Sequence, residues 1–138
     1  MTPEFDVSDL AASLVFWSDA LGFTVAYARP ESGFADLERA GGQVMLNAIN
    51  GHWQTSALER PFGRGINIQF DVEAIAPLLS GLEAASWPLF REPHEAWYRV
   101  GREQVGLRQF LVQDPDGYLL RFAESLGRRS LSPDAEAS

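Results

Sequence analysis

Leu10, Leu14, Trp17 and Leu21 recur at the spacing of one helical face, with Val7-Ser8-Asp9 before them and Gly22 where a helix-ending glycine belongs. Phe5 and Val7 alternate with Glu4 and Asp6 as a short strand does. Phe23–Arg29, Gly33–Arg39 and Gln43–Ile49 read as three more strands, separated by the turn signals Pro30 to Gly33 and Ala40-Gly41-Gly42. The order is β-α-β-β-β. The pattern then recurs, because Val72, Ile75, Leu79 and Leu82 stand 65 residues after Val7, Leu10, Leu14 and Trp17. A second helix is predicted over 74–85, with a strand before it over 65–71. Behind it come Trp87–Phe90, Ala96–Val100, Gln104–Gln113 and Tyr118–Ala123. Internal duplication accounts for both the helix match and the flanking strands. The expected fold is α+β: two tandem βαβββ modules forming a cupped mixed sheet, with helices on its outer face.

One domain is expected over 1–127, with a first module at about 1–49, a linker over 50–64 and a second module at about 65–124. The linker NGHWQTSALERPFGR mixes polar and aromatic residues, and structureless connections of that length are often functional. Residues 128–138 are expected to be a disordered tail.

Alternation divides each strand into a helix-packing set and an opposite set. Phe5, Val7, Val44, Leu46, Ile66, Ile68, Phe70, Phe110, Val112, Leu120 and Phe122 form the first. The second collects Thr2, Glu4, Asn47, Asn67, Gln69, Gln109 and Arg121, with Phe34 and Asp36 from the third strand. Amides dominate this second face. Neutral donor and acceptor side chains suit a half-buried pocket, orienting a ligand without the desolvation cost of a charge.

Composition narrows the chemistry. The chain has 138 residues, enough for one well-cored domain, and no cysteine, which removes disulfides, thiolate nucleophiles and Cys-based metal sites. All eleven basic residues are arginine, so Schiff-base and P-loop lysines are absent as well. Nineteen acids leave a net charge of -8, which disfavours nucleic acid and suits a cationic partner. No apolar run is long enough for a bilayer span and no secretory leader is visible, so a cytoplasmic protein without membrane association is expected.

The paired βαβββ units, the opening V-S-D-L-x-x-S-L-x-F-W-x-D-x-L-G-F (Val7 to Phe23) and the closing F-L-V-Q-D-P-D-G-Y-L-L-R-F (Phe110 to Phe122) resemble the vicinal oxygen chelate superfamily. That superfamily comprises glyoxalases, bleomycin resistance proteins and extradiol dioxygenases. The resemblance covers roughly 1–127 and is closest to the bleomycin resistance proteins. Superfamily enzymes hold a divalent metal in the cup through His and Glu. The resemblance places those ligand positions near Thr2, Leu46 or Asn47, Asn67 and Arg121, none of them a usual metal ligand. His52 and His94 are read as loop residues.

The resemblance implies a metal-free, cofactor-free homodimer that sequesters a cationic, aromatic-containing small molecule in clefts between subunits, as in antibiotic resistance, and catalyses nothing. Phe34 matches the family's stacking phenylalanine. The usual tryptophan before Arg108-Gln109-Phe110 is missing, and Trp53, Trp97 and Tyr98 are the aromatic residues that could restore the wall. Arg121 is expected to pair with Glu4 or Asp36 across the cup. The predicted ligand contacts are Phe34, Asp36, Asn47, Trp53, Asn67, Gln69, Trp97, Tyr98, Gln109 and Arg121. The alternative is a metal-dependent lyase, isomerase or dioxygenase of the same superfamily, with Glu4, Glu38 and His94 as ligands. A small-molecule sensor using the same cup is a third reading.

Overall fold

A computed structural model describes residues 1–131. Its first module runs β1 (Glu4–Val7), α1 (Leu10–Val15), β2 (Thr24–Arg29), β3 (Phe34–Arg39) and β4 (Gly42–Ala48). Its second runs β5 (Asn67–Val72), α2 (Ala76–Ala84), β6 (Arg91–Val100), β7 (Glu103–Gln113) and β8 (Leu119–Ser130). The strands form two four-stranded mixed sheets, ordered β1-β4-β3-β2 and β5-β8-β7-β6. In each, the module's first strand lies parallel to its last and the remaining pairs are antiparallel. The identical order is the structural form of the repeat seen in the sequence.

The two expected βαβββ modules are present, each with its own sheet, and the two sheets share no strand pair and are joined through side chains. Their helix-bearing faces meet in one core. Val7, Val44, Leu46, Phe110, Val112, Leu120 and Phe122 are fully buried there with Leu78 and Leu82 of α2. Trp17 is the centre of this joint, within 6.1 Å of Phe5, Phe16 and Phe70 and 5.0 Å from Phe23, ring centre to ring centre. Asp9 starts α1 by accepting from the Ala12 N–H at 3.1 Å, and Gly22 ends the helical stretch at φ 78°. Between them Phe16–Ala20 form a π-helical turn, in which the Leu21 N–H donates to the Phe16 carbonyl at 3.2 Å. The wider turn buries both Phe16 and Trp17, where a plain 3.6-residue period would bury one. Gly81 lets α2 cross this turn, since a Cβ there would lie 2.0 Å from the Ala20 carbonyl oxygen.

Four local expectations are corrected. Ile66 is 62% exposed, because Gly65 at φ 84° and the Ile66 N–H bond to the Gly63 carbonyl hold it in a turn before β5. Trp87–Phe90 is not a strand, and β6 starts at Arg91 and runs through Pro93 to Val100. Pro93 is tolerated because β6 is the outer strand of its sheet and bulges between Arg91 and His94. Arg128, Arg129 and Ser130 continue β8 opposite Val105, Gln104 and Glu103, because β7 is long enough to offer them a ladder. Residues 132–138 of the expected tail lie outside the described residues. Among the described residues no helix is long and apolar enough to cross a membrane.

Candidate ligand-binding faces

Each sheet has a concave side turned away from the common core. On the first, cross-strand partners place Glu4 and Asp6 of β1, Met45 and Asn47 of β4, Phe34 and Asp36 of β3, and Tyr27 and Arg29 of β2 side by side. Asn47 is buried and donates from Nδ2 to Asp6 Oδ1 at 3.3 Å and to the Ala48 carbonyl at 3.2 Å. Asp36 is buried with Oδ1 lacking any hydrogen-bond partner. Phe34, expected to offer an open ring, is only 6% exposed. The Arg29 guanidinium lies over it at 4.1 Å and Tyr27 stands at 5.9 Å. Trp53, 72% exposed in the linker, joins Glu4, Tyr27, Arg29, Phe34 and Asn47 around a cleft of about 490 Å³.

The second concave side carries the other half of the predicted set. Gln109 is buried and donates from Nε2 to Tyr98 Oη at 2.7 Å and to His94 Nε2 at 3.2 Å. His94 Nδ1 lies 3.0 Å from the Glu92 carbonyl, and its Nε2 is the ring atom that faces Gln109. Gln109 Oε1 and Arg121 Nε are buried without partners. Asn67 and Gln69 are exposed, and Gln69 Nε2 donates to Asp71 Oδ1 at 2.9 Å.

Phe34, Asp36, Asn47 and Trp53 therefore gather on the first sheet, and Asn67, Gln69, Tyr98, Gln109 and Arg121 on the second. Trp97 leaves the set. As the neighbour of Tyr98 on one strand it points to the opposite face, packed on Gly106 with the Arg129 guanidinium 3.9 Å from its ring centre. Arg121 pairs with neither Glu4 nor Asp36, which belong to the other sheet; the three ion pairs among the described residues are Arg60–Asp116, Arg64–Glu59 and Arg128–Glu103. His94 lies on β6, not in a loop.

Sequence reasoning passed over Tyr27 and Arg29 because a bulge between Val25 and Tyr27 shifts the alternation of β2. It read His94 as a loop residue because Pro93 reads as a break.

A metal fits this residue set poorly. Within one chain, among the described residues, no three His, Asp or Glu side chains are placed to hold an ion. The alternative ligands Glu4 and Glu38 stand on the first sheet and His94 on the second.

A wider cleft of about 760 Å³ lies off both concave faces, between Trp87–Phe90, Arg60-Pro61 and the turn 113–117. Its buried Asp114 accepts from the Asp116 and Tyr118 N–H groups through Oδ1, while Oδ2 has no partner. Burial pushes this carboxyl up from 3.8 to about 7. The folded state therefore keeps a proton on Asp114 through a window in which the unfolded chain has released it. This contribution to stability falls as pH rises from about 4 to about 7 and is constant above, by a total on the order of 4 kcal/mol. Asp114→Asn keeps the Oδ1 acceptor and removes the titration. Urea denaturation at pH 4 and pH 8 should find the variant close to wild type at the lower pH and more stable at the higher. A difference independent of pH would mean Asp114 is ionised throughout.

The sequence profile of the Glyoxalase/Bleomycin resistance protein/Dioxygenase superfamily matches residues 4–122. A superfamily member from Vibrio splendidus 12B01, described under those same three names, is 35% identical over 89% of this chain and 95% of its own, with a TM-score of 0.42. TioX from Micromonospora sp. ML1 is 22% identical over 91% of this chain and 98% of its own, with a TM-score of 0.71. A glyoxalase/bleomycin resistance protein/dioxygenase from Alicyclobacillus acidocaldarius is 16% identical over 91% and 90%, with a TM-score of 0.64. No curated protein matches the chain. With the repeated strand order and a profile match over nearly the whole chain, the protein belongs to the glyoxalase/bleomycin resistance protein/dioxygenase superfamily.

Proposed function

We propose that this protein is a cytoplasmic small-molecule binder of the bleomycin-resistance type, which sequesters a planar, cationic, aromatic-containing ligand without metal or other cofactor. The observation that carries this reading is the Arg29 guanidinium lying 4.1 Å from the Phe34 ring centre, on the face that also carries the unpartnered Asp36 carboxylate oxygen. A flat cation already sits where the ligand would stack. Trp53 and Tyr27 widen the aromatic wall, in the role left by the missing tryptophan before Arg108.

The proposed assembly is a homodimer. The predicted contacts divide between two sheets of one chain, and β2 and β6 are outer strands that a second copy can cover. Sedimentation at micromolar concentration should therefore give twice the 15.3 kDa of the chain.

Tryptophan fluorescence titrated with a bleomycin-type drug and with a simple planar aromatic cation tests the ligand class, since Trp53 is an exposed reporter beside Phe34. Phe34→Ala should weaken binding by about 1–3 kcal/mol, the loss of one stacking and burial contact. Phe34 stands outside the main core cluster, so the variant should remain folded. Unchanged affinity in a folded Phe34→Ala protein would remove the ring from the site. Outright unfolding would make Phe34 a core residue.

A further inference from the structure

We propose that the concave face of the second sheet is an oxyanion subsite, where Arg121 takes a carboxylate or phosphate group of the bound molecule. This rests on the reading of the concave faces as ligand-holding, and deepens it by giving the second face a ligand chemistry opposite to that of the first. β8 lies inside its sheet, between β5 and β7, and Leu120 and Phe122 on either side of Arg121 are fully buried in the core. Arg121 therefore stands near the middle of the concave side, across from Gln69 on β5 and Leu111 on β7.

No carboxylate answers it. Arg121 takes part in none of the ion pairs among the described residues, in a chain with nineteen acids against eleven bases. The acids nearest in register are otherwise used. Glu124 points to the helix side and accepts from the Ile75 N–H at 2.9 Å, while Asp71 accepts from Gln69. Arg121 Nε is sealed from solvent with no acceptor, an arrangement that costs free energy until one arrives. A guanidinium offers a planar fork of N–H donors whose best match is a carboxylate or phosphate.

On the same face Gln109 offers a neutral amide, and Tyr98 Oη, which accepts from Gln109, keeps its own O–H to donate. The unpartnered Gln109 Oε1 is an acceptor for a hydroxyl or N–H carried beside the acid group.

The test uses three probes sharing one ring, namely benzoate, phenyl phosphate and benzylamine, titrated into the full-length protein. The arginine Nε–H signals are followed by NMR and affinities by calorimetry. Benzoate or phenyl phosphate should shift the Arg121 Nε–H signal, bind about tenfold or more weakly to Arg121→Gln, and weaken as salt is raised. Whichever of the two binds more tightly distinguishes a carboxylate source from a phosphate source. Arg121→Lys, which keeps the charge and loses the fork, should fall between. Benzylamine should bind wild type and Arg121→Gln alike. Anionic probes that leave the Arg121 signal unmoved while benzylamine binds would overturn the subsite and leave the proposed function standing. Failure of all three probes to bind would overturn both.

Discussion

Trp17→Ala should destabilise the protein by about 3–5 kcal/mol, the range for removing a large aromatic side chain from a packed core. Trp17 is fully buried and touches aromatic rings from both modules, Phe5, Phe16 and Phe23 of the first and Phe70 of the second. Its loss opens a cavity where the two helix-bearing faces meet, so neither module can close the gap alone. Urea denaturation followed by far-ultraviolet circular dichroism measures the change. A cost below about 1 kcal/mol would show that the modules do not depend on this joint for stability.

Asp116→Ala should cost about 3 kcal/mol, because one buried carboxylate holds three segments together. Its Oδ2 accepts from the Ser8 N–H at 3.0 Å, and its Oδ1 accepts from Ser8 Oγ at 2.5 Å and Arg60 Nη2 at 2.9 Å. Asp116 is only 1% exposed, so alanine would leave the Ser8 donors facing an empty site. Arg60→Ala, by contrast, should cost less than about 1 kcal/mol, since that side chain is 58% exposed and its charge remains well solvated. Equal losses from the two variants would show that the ion pair matters more than the Ser8 bonds. This clip ties the end of β1 to the turn between β7 and β8 and sets how the modules meet.

Much of the fold was legible because both modules are amphipathic in the simplest way. Val7, Val44, Leu46, Phe110, Val112, Leu120 and Phe122 follow strict alternation, and each is buried as that alternation predicts. The 65-residue repeat announced the common strand order of the two sheets. The site was half legible. Phe34, Asn47, Gln109 and Arg121 lie on the concave sides because alternation carries any residue to the face opposite its buried neighbours. Tyr27 and Arg29 were obscured by a bulge, which inserts a residue and reverses the parity that sequence reading relies on.

Strand faces, helix starts and duplication are local properties, encoded by residues within a few positions of each other, and the sequence by itself determined them. It also determined the chemical character of the concave faces, since the lack of cysteine and the amide-rich alternation are matters of composition and spacing. The tertiary structure decided which of those residues meet. That Arg29 covers Phe34, that Arg121 finds no acid, and that the predicted contacts divide between two sheets all depend on bulge placement and on how the modules pack. How the modules pack is a long-range outcome of Trp17 meeting Phe70 and Gly81 meeting Ala20, and no short window of sequence contains both partners of such a contact.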